Sequence, residues 1–551
     1  MKELRTIAIV LFALLVVGAT AFGAGGQDEG QAPGGAAVPP GFNETGLPLV
    51  DEQASLTVMV RPHPAQTRPT ESFEAIQMVE ELTNVRVEWE ELRGDSIQQR
   101  INLMFAGGDM PDVALRSTIG PMKLDFANEG LLLELTDLID QYGPNVQHMF
   151  DISPTARAAS LDLDGNIYSI AGPRAWPPDF WAPPRIWGIN NAWLDELGLE
   201  MPETTEELYE VLQAFKTQDP NGNGEADEVP IVTSLTQGMG DLYGFYFTAM
   251  FGVAIQKGGF MVEDDTVVSS YTSPKMREAL EYLRRLYEEG LVNEDLFTIP
   301  SNEYLSRARQ QDPVVVGATG WWTLTGMFGS RFTDTNEWGY LDVVQSPSGN
   351  AVLPARVDAN IQSDQAFITS AAEYPALAMR WIDTLFDEEI NLKIAQGPLE
   401  WIDETTATLA PVPEGVSGTE FRVNTTTPKN SLPEVVLYDE FTLAPGSIYD
   451  ITERRLYTER HEGMLTVQNL PTNTSYLTEE EQSEIARLWT PLLEYLNRMC
   501  AEFVVEGNID ERWEEYVSTA ERMGLADVIE IRQREYERFK DAMGGDTSLP
   551  E

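Results

Sequence analysis

Apolar residues recur along the chain with two periods, and the alternation between those periods outlines the elements. The run ASLTVMV (54–60) alternates and predicts a strand. ESFEAIQMVEELTN (71–84) spaces its apolar residues three and four apart and predicts a helix. VRVEWEEL (85–92) alternates again, SIQQRINLMFAGG (96–108) returns to the helical period, and PDVAL (111–115) reads as a short buried strand. Strand, helix, strand, helix and strand at this spacing predict a parallel sheet with right-handed crossovers.

A second α/β pattern opens near Arg185 with RIWGINNAWLDELGL (185–199). TTEELYEVLQAFKTQ (204–218) predicts a helix capped by Thr204 or Thr205, with acidic residues in its first turn. SPKMREALEYLRRLYEEGL (273–291) and AAEYPALAMRWIDTLF (371–386) predict further helices, and PVVVGATGWW (313–322) and YLDVVQSPSG (340–349) read as strands. Beyond Leu477 the helical period runs to about Met543. Two sheets joined by extended crossings near residues 168–186, 314–324 and 342–360 fit this order better than one long sheet. No period of roughly 20–50 residues recurs, which excludes solenoids and propellers.

The ends and the composition set the compartment. Lys2 and Arg5 precede the apolar run IAIVLFALLVV (7–17), and small residues follow. Residues 1–24 therefore read as a signal peptide cleaved after Ala21 or Ala24. The run is shorter than the about 20 apolar residues of a membrane span. Residues 25–50, rich in Gly and Pro, read as a flexible tether. The single cysteine, Cys500, excludes a disulfide framework and a thiolate metal site, and no cysteine follows the signal to carry a lipid anchor. The expected product is a soluble periplasmic or secreted protein. Its 89 Asp and Glu outweigh 37 Lys and Arg, for a formal charge of −52. Such a surface repels phosphate backbones and anionic membranes, so nucleic acid is excluded as a partner.

Two groups of residues carry candidate chemistry. In DPNGNGEADEVP (219–230), Asp219, Asn221 and Asn223 offer side-chain oxygens at positions 1, 3 and 5 of a calcium loop. Gly224 permits the sharp turn, Glu225 offers its carbonyl, and Asp227 takes position 9. Pro230 stands where a bidentate Glu would, so Glu228 is assigned to close the shell, with Ca²⁺ as a structural ion. The simpler reading is a Pro-Asn-Gly turn with solvated acids. The second group is aromatic, because a sugar ring stacks on a flat apolar platform while nearby polar groups take its hydroxyls. Trp176, Phe180, Trp181 and Trp187 form one cluster, Tyr243, Phe245 and Tyr246 another, and Trp321, Trp322 and Trp401 beside Glu400 a third. Neighbouring Trp321 and Trp322 point to opposite faces of an extended chain, so at most one of them faces a ligand. For any single one of these rings, a core position is the commoner role.

The segments INLMFAGGDMPDV, DGNIYSIAGP, WGINNAWLDELGLEMPETTEELYEVLQAFKTQDPNGNGEADEVP and AEFVVEGNIDERWEEYVSTAERMGL resemble, in order, the extracellular solute-binding proteins of family 1. These are the capture components of ABC carbohydrate importers, and the similarity is greatest to the alginate-oligosaccharide-binding and LplA-like branch. The resemblance implies a two-lobed α/β periplasmic-binding-protein fold of type II. It implies lobe 1 at 51–170 and 345–400, and lobe 2 at 171–344 and 401–551, with the calcium loop at 219–228 and helices at the C-terminus. It further implies bound calcium at the matching loop positions, a Trp after the strand ending in GATGWW at the sugar cleft, and cleft residues around Glu400 and Trp401. The turn AGGDMPDV with Asp109 corresponds to the family's cleft edge.

The expected function is capture of an oligosaccharide between the lobes by a monomer and delivery to an importer's membrane permease, without chemistry on the ligand. The rival is a secreted polysaccharide hydrolase or lyase, since paired carboxylates of glycosidase type leave no sequence motif. Against it, there is no HExxH or G-x-S-x-G, and His63, His148 and His461 read as solvated side chains. Arg174, Arg185 and Arg454 are candidates for a local cationic site that would accept uronates, with surface ion pairing as the simpler reading.

Overall fold

The computed structural model describes residues 36–542, apart from 64–65, 95, 117, 174–184, 237–238, 240–243, 256–257, 334, 356–360, 398, 403–405, 410–423, 425–427, 429–430, 434–441, 444–448, 468–469 and 471–475. The signal-peptide reading and most of the tether lie outside the described residues. Among the described residues no helix is long and apolar enough to cross a membrane.

In chain order the principal strands are β1 (Ala54–Val60), β2 (Val85–Glu91), β3 (Val113–Leu115), β4 (Ile170–Pro173), β5 (Ile186–Asn190), β6 (Val229–Ile231), β7 (Phe260–Glu263), β8 (Thr266–Ser269), β9 (Val316–Trp321), β10 (Trp338–Tyr340), β11 (Leu353–Ala355) and β12 (Ile361–Ile368). They form two main sheets, of order β2-β1-β3-β12-β4 and β10-β5-β9-β6. β1 pairs parallel with β2 and β3, as the alternating strand and helix periods predict. The late strand β12 inserts antiparallel between β3 and β4. The fold is a two-lobed α/β architecture with one sheet in each lobe.

Each sheet has its own core. Around the first, Leu56, Val58, Val85, Val113, Ile170 and Ile368 pack against Phe73, Val146, Leu377 and Trp381. Around the second, Trp187, Ile189, Phe215, Ile231 and Ala318 continue into the C-terminal helices through Leu280, Leu496, Phe503 and Tyr516. The C-terminal region is helical as the period predicts, in helices Glu479–Glu506, Ile509–Arg522 and Leu525–Ala542. Thr204 and Thr478 each close a capping box with a Glu three residues on, so both helix starts are written in the sequence. The helix expected over 371–386 begins only at Pro375. Proline disfavours helical geometry in the residue before it and fits the first turn, which sets this start.

Candidate functional site

Ligands of open α/β sheets bind outside the carboxyl ends of parallel strands, where neighbouring connections run in opposite directions. In the first sheet β2, β1, β3 and β4 all end on one edge, at Glu91, Val60, Leu115 and Pro173. The chain leaves that edge at Pro173 for β5, and returns to it from β11 at Ile361. In the second sheet Ile186, where β5 starts, pairs with Trp321, where β9 ends. The crossing from the first sheet therefore enters the second sheet beside the two tryptophans.

The two indoles part as successive residues of an extended chain must. Trp321 is half-buried and lies against the Tyr304 ring, with centroids 6.1 Å apart. Trp322 is 43% exposed and rests one face on the guanidinium of Arg185, 3.7 Å from the ring centroid. Arg185 itself is buried and so is not a surface charge; its guanidinium packs under the aromatic ring. The turn after Trp322 is held from a distant helix, Tyr449–Arg460. Glu453, buried in that helix, accepts from the backbone N–H groups of Leu324 and Thr325 at the start of the short helix Leu324–Phe328, which Thr323 Oγ1 caps by accepting from Gly326 N at 3.1 Å. Sequence reasoning missed Glu453, because one Glu within TERRLYTER carries no signal of burial.

Other candidates are dispersed. Trp187 and Tyr246 are wholly buried and stacked on each other, with centroids 4.4 Å apart, in the core of the second sheet. In this conformation neither presents a face to a ligand. Trp176, Phe180, Trp181 and Tyr243 lie outside the described residues, as does Arg174. Glu400 is exposed on the short strand Leu399–Trp401, which pairs antiparallel with Thr406–Leu409. The side chains of Trp401 and Arg454 lie outside what is described. Asp109 is exposed at the end of helix Ile97–Gly107, before β3, and so sits at the opposite edge of the first sheet from the crossings. Asp112 accepts from Thr57 N at 2.7 Å and Thr57 Oγ1 at 2.8 Å, a structural link between strands. His461 corrects the expectation of a solvated ring. It is buried; Val343 N donates to its Nε2 at 2.9 Å, and Nδ1 lies 2.7 Å from the Tyr457 carbonyl. Burial holds its pKa below the usual histidine range.

The acidic loop is tightly wound. Asp219 adopts a positive φ of 49°, and Gly224 one of 79°. The Asp219 carboxylate accepts from Asn223 N and Gly224 N, both at 3.1 Å, and Asn221 Oδ1 accepts from Asn223 N at 3.0 Å. Asn223 Oδ1 accepts from Glu225 N at 2.7 Å, and both Asn221 and Asn223 turn their amides toward Asp227 at 3.1 Å. Asn221 also donates to the Val314 carbonyl at 3.1 Å, tying the loop to the chain entering β9. Glu228 closes the turn with Oε1 buried and, among the described residues, without a hydrogen-bond partner. Burial, with the charges of Asp227 and Asp219 beside it, raises its pKa. These donors are all hard oxygens, and a buried carboxylate oxygen lacking a donor fits a cation among them. Among the described residues no three His, Cys, Asp or Glu side chains form a metal cluster, so any such site relies on the two asparagines and backbone carbonyls.

Comparison with known proteins places the chain in a family. The fructooligosaccharide ABC transporter substrate-binding protein FusA of Streptococcus pneumoniae is 28% identical over 516 residues, 89% of this chain and 91% of FusA. The structure of FusA in complex with kestose superposes with a TM-score of 0.76 at 26% identity, covering 88% of this chain and 99% of FusA. A FusA EF-hand mutant in complex with fructo-nystose gives the same TM-score at 25% identity, with the same coverage. The alginate-binding protein AlgQ2 without calcium shares the fold at a TM-score of 0.66 and 21% identity, over 89% of this chain and 99% of AlgQ2. The model of the bacterial extracellular solute-binding proteins matches residues 66–391, more than half of the chain, and this protein belongs to that family.

Proposed function

We propose that this protein captures an oligosaccharide between its two lobes outside the cytoplasm and delivers it to the permease of an ABC importer. The observation that carries this reading is Trp322: an exposed indole, backed by a buried guanidinium, at the sheet edge where the interlobe crossing enters. A ring steadied by a guanidinium and exposed over 43% of its surface offers the flat apolar surface on which a sugar face stacks. Similarity to FusA over nearly the whole chain supports the same ligand class. Trp401, on its short strand, and Glu400 beside it are proposed to complete the platform and supply an acceptor.

The proposed lobes are 51–170 with 345–400, and 171–344 with 401–551. Ligand bridging them favours the closed form, which a permease distinguishes from the open one. The loop at 219–228 is proposed to hold Ca²⁺ through Asp219, Asn221, Asn223, Glu225, Asp227 and Glu228. The orphaned Glu228 oxygen and the EF-hand named in the FusA structure support this. The ion would neutralise the loop and pin the end of helix Thr205–Thr217 to β6, a structural task. Secretion through the signal over residues 1–24 completes the proposal. Calorimetry with a panel of neutral and acidic oligosaccharides, beside a turnover assay on the same panel, tests it. Binding without turnover is expected, and turnover would establish the hydrolase or lyase instead.

A further inference from the structure

The edge of the first sheet that gives rise to the crossings carries an unusual polar group. Arg116 directly follows β3 with φ at 58°, and Asp364 lies within β12 with φ at 60°. Neither is glycine, so both backbones sit in a region that side chains disfavour. β12 also shifts register between Gln362 and Ala366, opposite β4. Bulges and left-handed residues are over-represented at sheet edges and beside functional sites, where they re-aim a side chain or end the pairing.

The side chains interlock across the sheet. Lys123, almost wholly buried, donates to Asp364 Oδ1 at 3.1 Å, and Ser169 Oγ donates to the same oxygen at 2.8 Å. Arg116 Nη1 donates to Gln362 Oε1 and, at 3.2 Å, to Gln365 Oε1. The Asp364 side chain keeps 14% of its surface exposed. Its Oδ2 lies over Gly120, where an added Cβ would stand only 2.7 Å away. One oxygen is thus clamped by two donors, while the second rests over a residue that must lack a side chain.

We infer that Asp364, aimed by Lys123, Ser169 and the bulge in β12, is the ligand acceptor of the first lobe and reads the hydroxyls of an uncharged sugar unit. This rests on the proposed oligosaccharide capture and adds the first lobe's contribution and its selectivity. An ionised carboxylate only accepts hydrogen bonds, so the second oxygen matches hydroxyl donors and opposes a uronate carboxylate set directly against it, while Lys123 is engaged on the first oxygen and Arg116 on Gln362 and Gln365. Charge-assisted bonds of this kind are among the stronger ones.

The test uses the full mature chain and calorimetry with kestose, maltotriose and trigalacturonate. The wild type should bind one of the neutral sugars at least tenfold tighter than trigalacturonate. Asp364→Asn should weaken that neutral sugar at least tenfold and narrow the gap to the acidic one. Gly120→Ala, which displaces the carboxylate without removing its pairing charge, should also cost at least tenfold and so carries the test if Asp364→Asn does not fold. Neutral-sugar binding within twofold of wild type in Gly120→Ala and in folded Asp364→Asn overturns the assignment, while weakened binding in Trp322→Ala would leave oligosaccharide capture standing. A wild type that prefers trigalacturonate overturns the selectivity and the inference with it. Binding of none of the three overturns both.

Discussion

Replacing Trp322 with alanine separates a platform from a core residue. The side chain is 43% exposed. An indole offers up to about 250 Å² to burial, so roughly 100 Å² is left for a ligand to cover. At about 25 cal/mol/Å² that is about 2.5 kcal/mol for complete cover. That exposed area already excludes the face resting on Arg185, 3.7 Å from the ring centroid, and a sugar stacked flat covers about half of it, roughly 1–1.5 kcal/mol. Trp322→Ala should therefore weaken oligosaccharide binding about five- to tenfold by calorimetry. The melting temperature should move little, because a half-exposed ring closes no core. Trp187→Ala should behave in the opposite way. That ring is wholly buried against Tyr246, and its loss should cost about 3–5 kcal/mol of stability. If Trp322→Ala binds like wild type and melts lower, the ring is a packing residue and the platform reasoning fails.

Chelation should lower the melting temperature without abolishing the fold, by about 2.7 kcal/mol of stability when free calcium had stood at a hundred times its dissociation constant. Asp219→Ala should copy the effect and make the protein indifferent to chelator; unchanged wild-type melting with no calcium by elemental analysis would reduce the loop to a turn. Asp383 is fully buried, accepts from Asn145 N at 2.8 Å and Val146 N at 3.0 Å, and is pushed up to about 7 by burial. A folded pKa above the unfolded value means the native state holds the extra proton, so this stability is complete below about pH 4 and lost as pH rises through about 7. Thermal melts between pH 5 and 8 should fall accordingly, and Asp383→Asn should flatten that slope; an identical slope in the variant would refute the linkage. Intact mass of secreted protein should place the N-terminus at Phe22 or Gly25, and Met1 retained on secreted material would contradict the signal reading.

The periods of apolar residues, the capping boxes at Thr204 and Thr478, and the oxygen-rich spacing from Asp219 to Glu228 are local properties, and the sequence by itself determined the elements they mark. It also separated Trp321 from Trp322, since successive side chains of an extended chain diverge whatever surrounds them. It could not decide which of the two would be exposed, nor that Trp187 and Tyr246 would be stacked in a core. Burial depends on neighbours brought from elsewhere in the chain. The polar run QSDQ before AFI, within β12, was the one sequence signal of the first-lobe group, an interruption in an otherwise apolar strand. Its partner Lys123 stands 241 positions away from Asp364, and Glu453 stands 129 from the turn at Leu324 that it holds. Only the tertiary structure could join them, because a late strand and a late helix return to close sites that early segments begin.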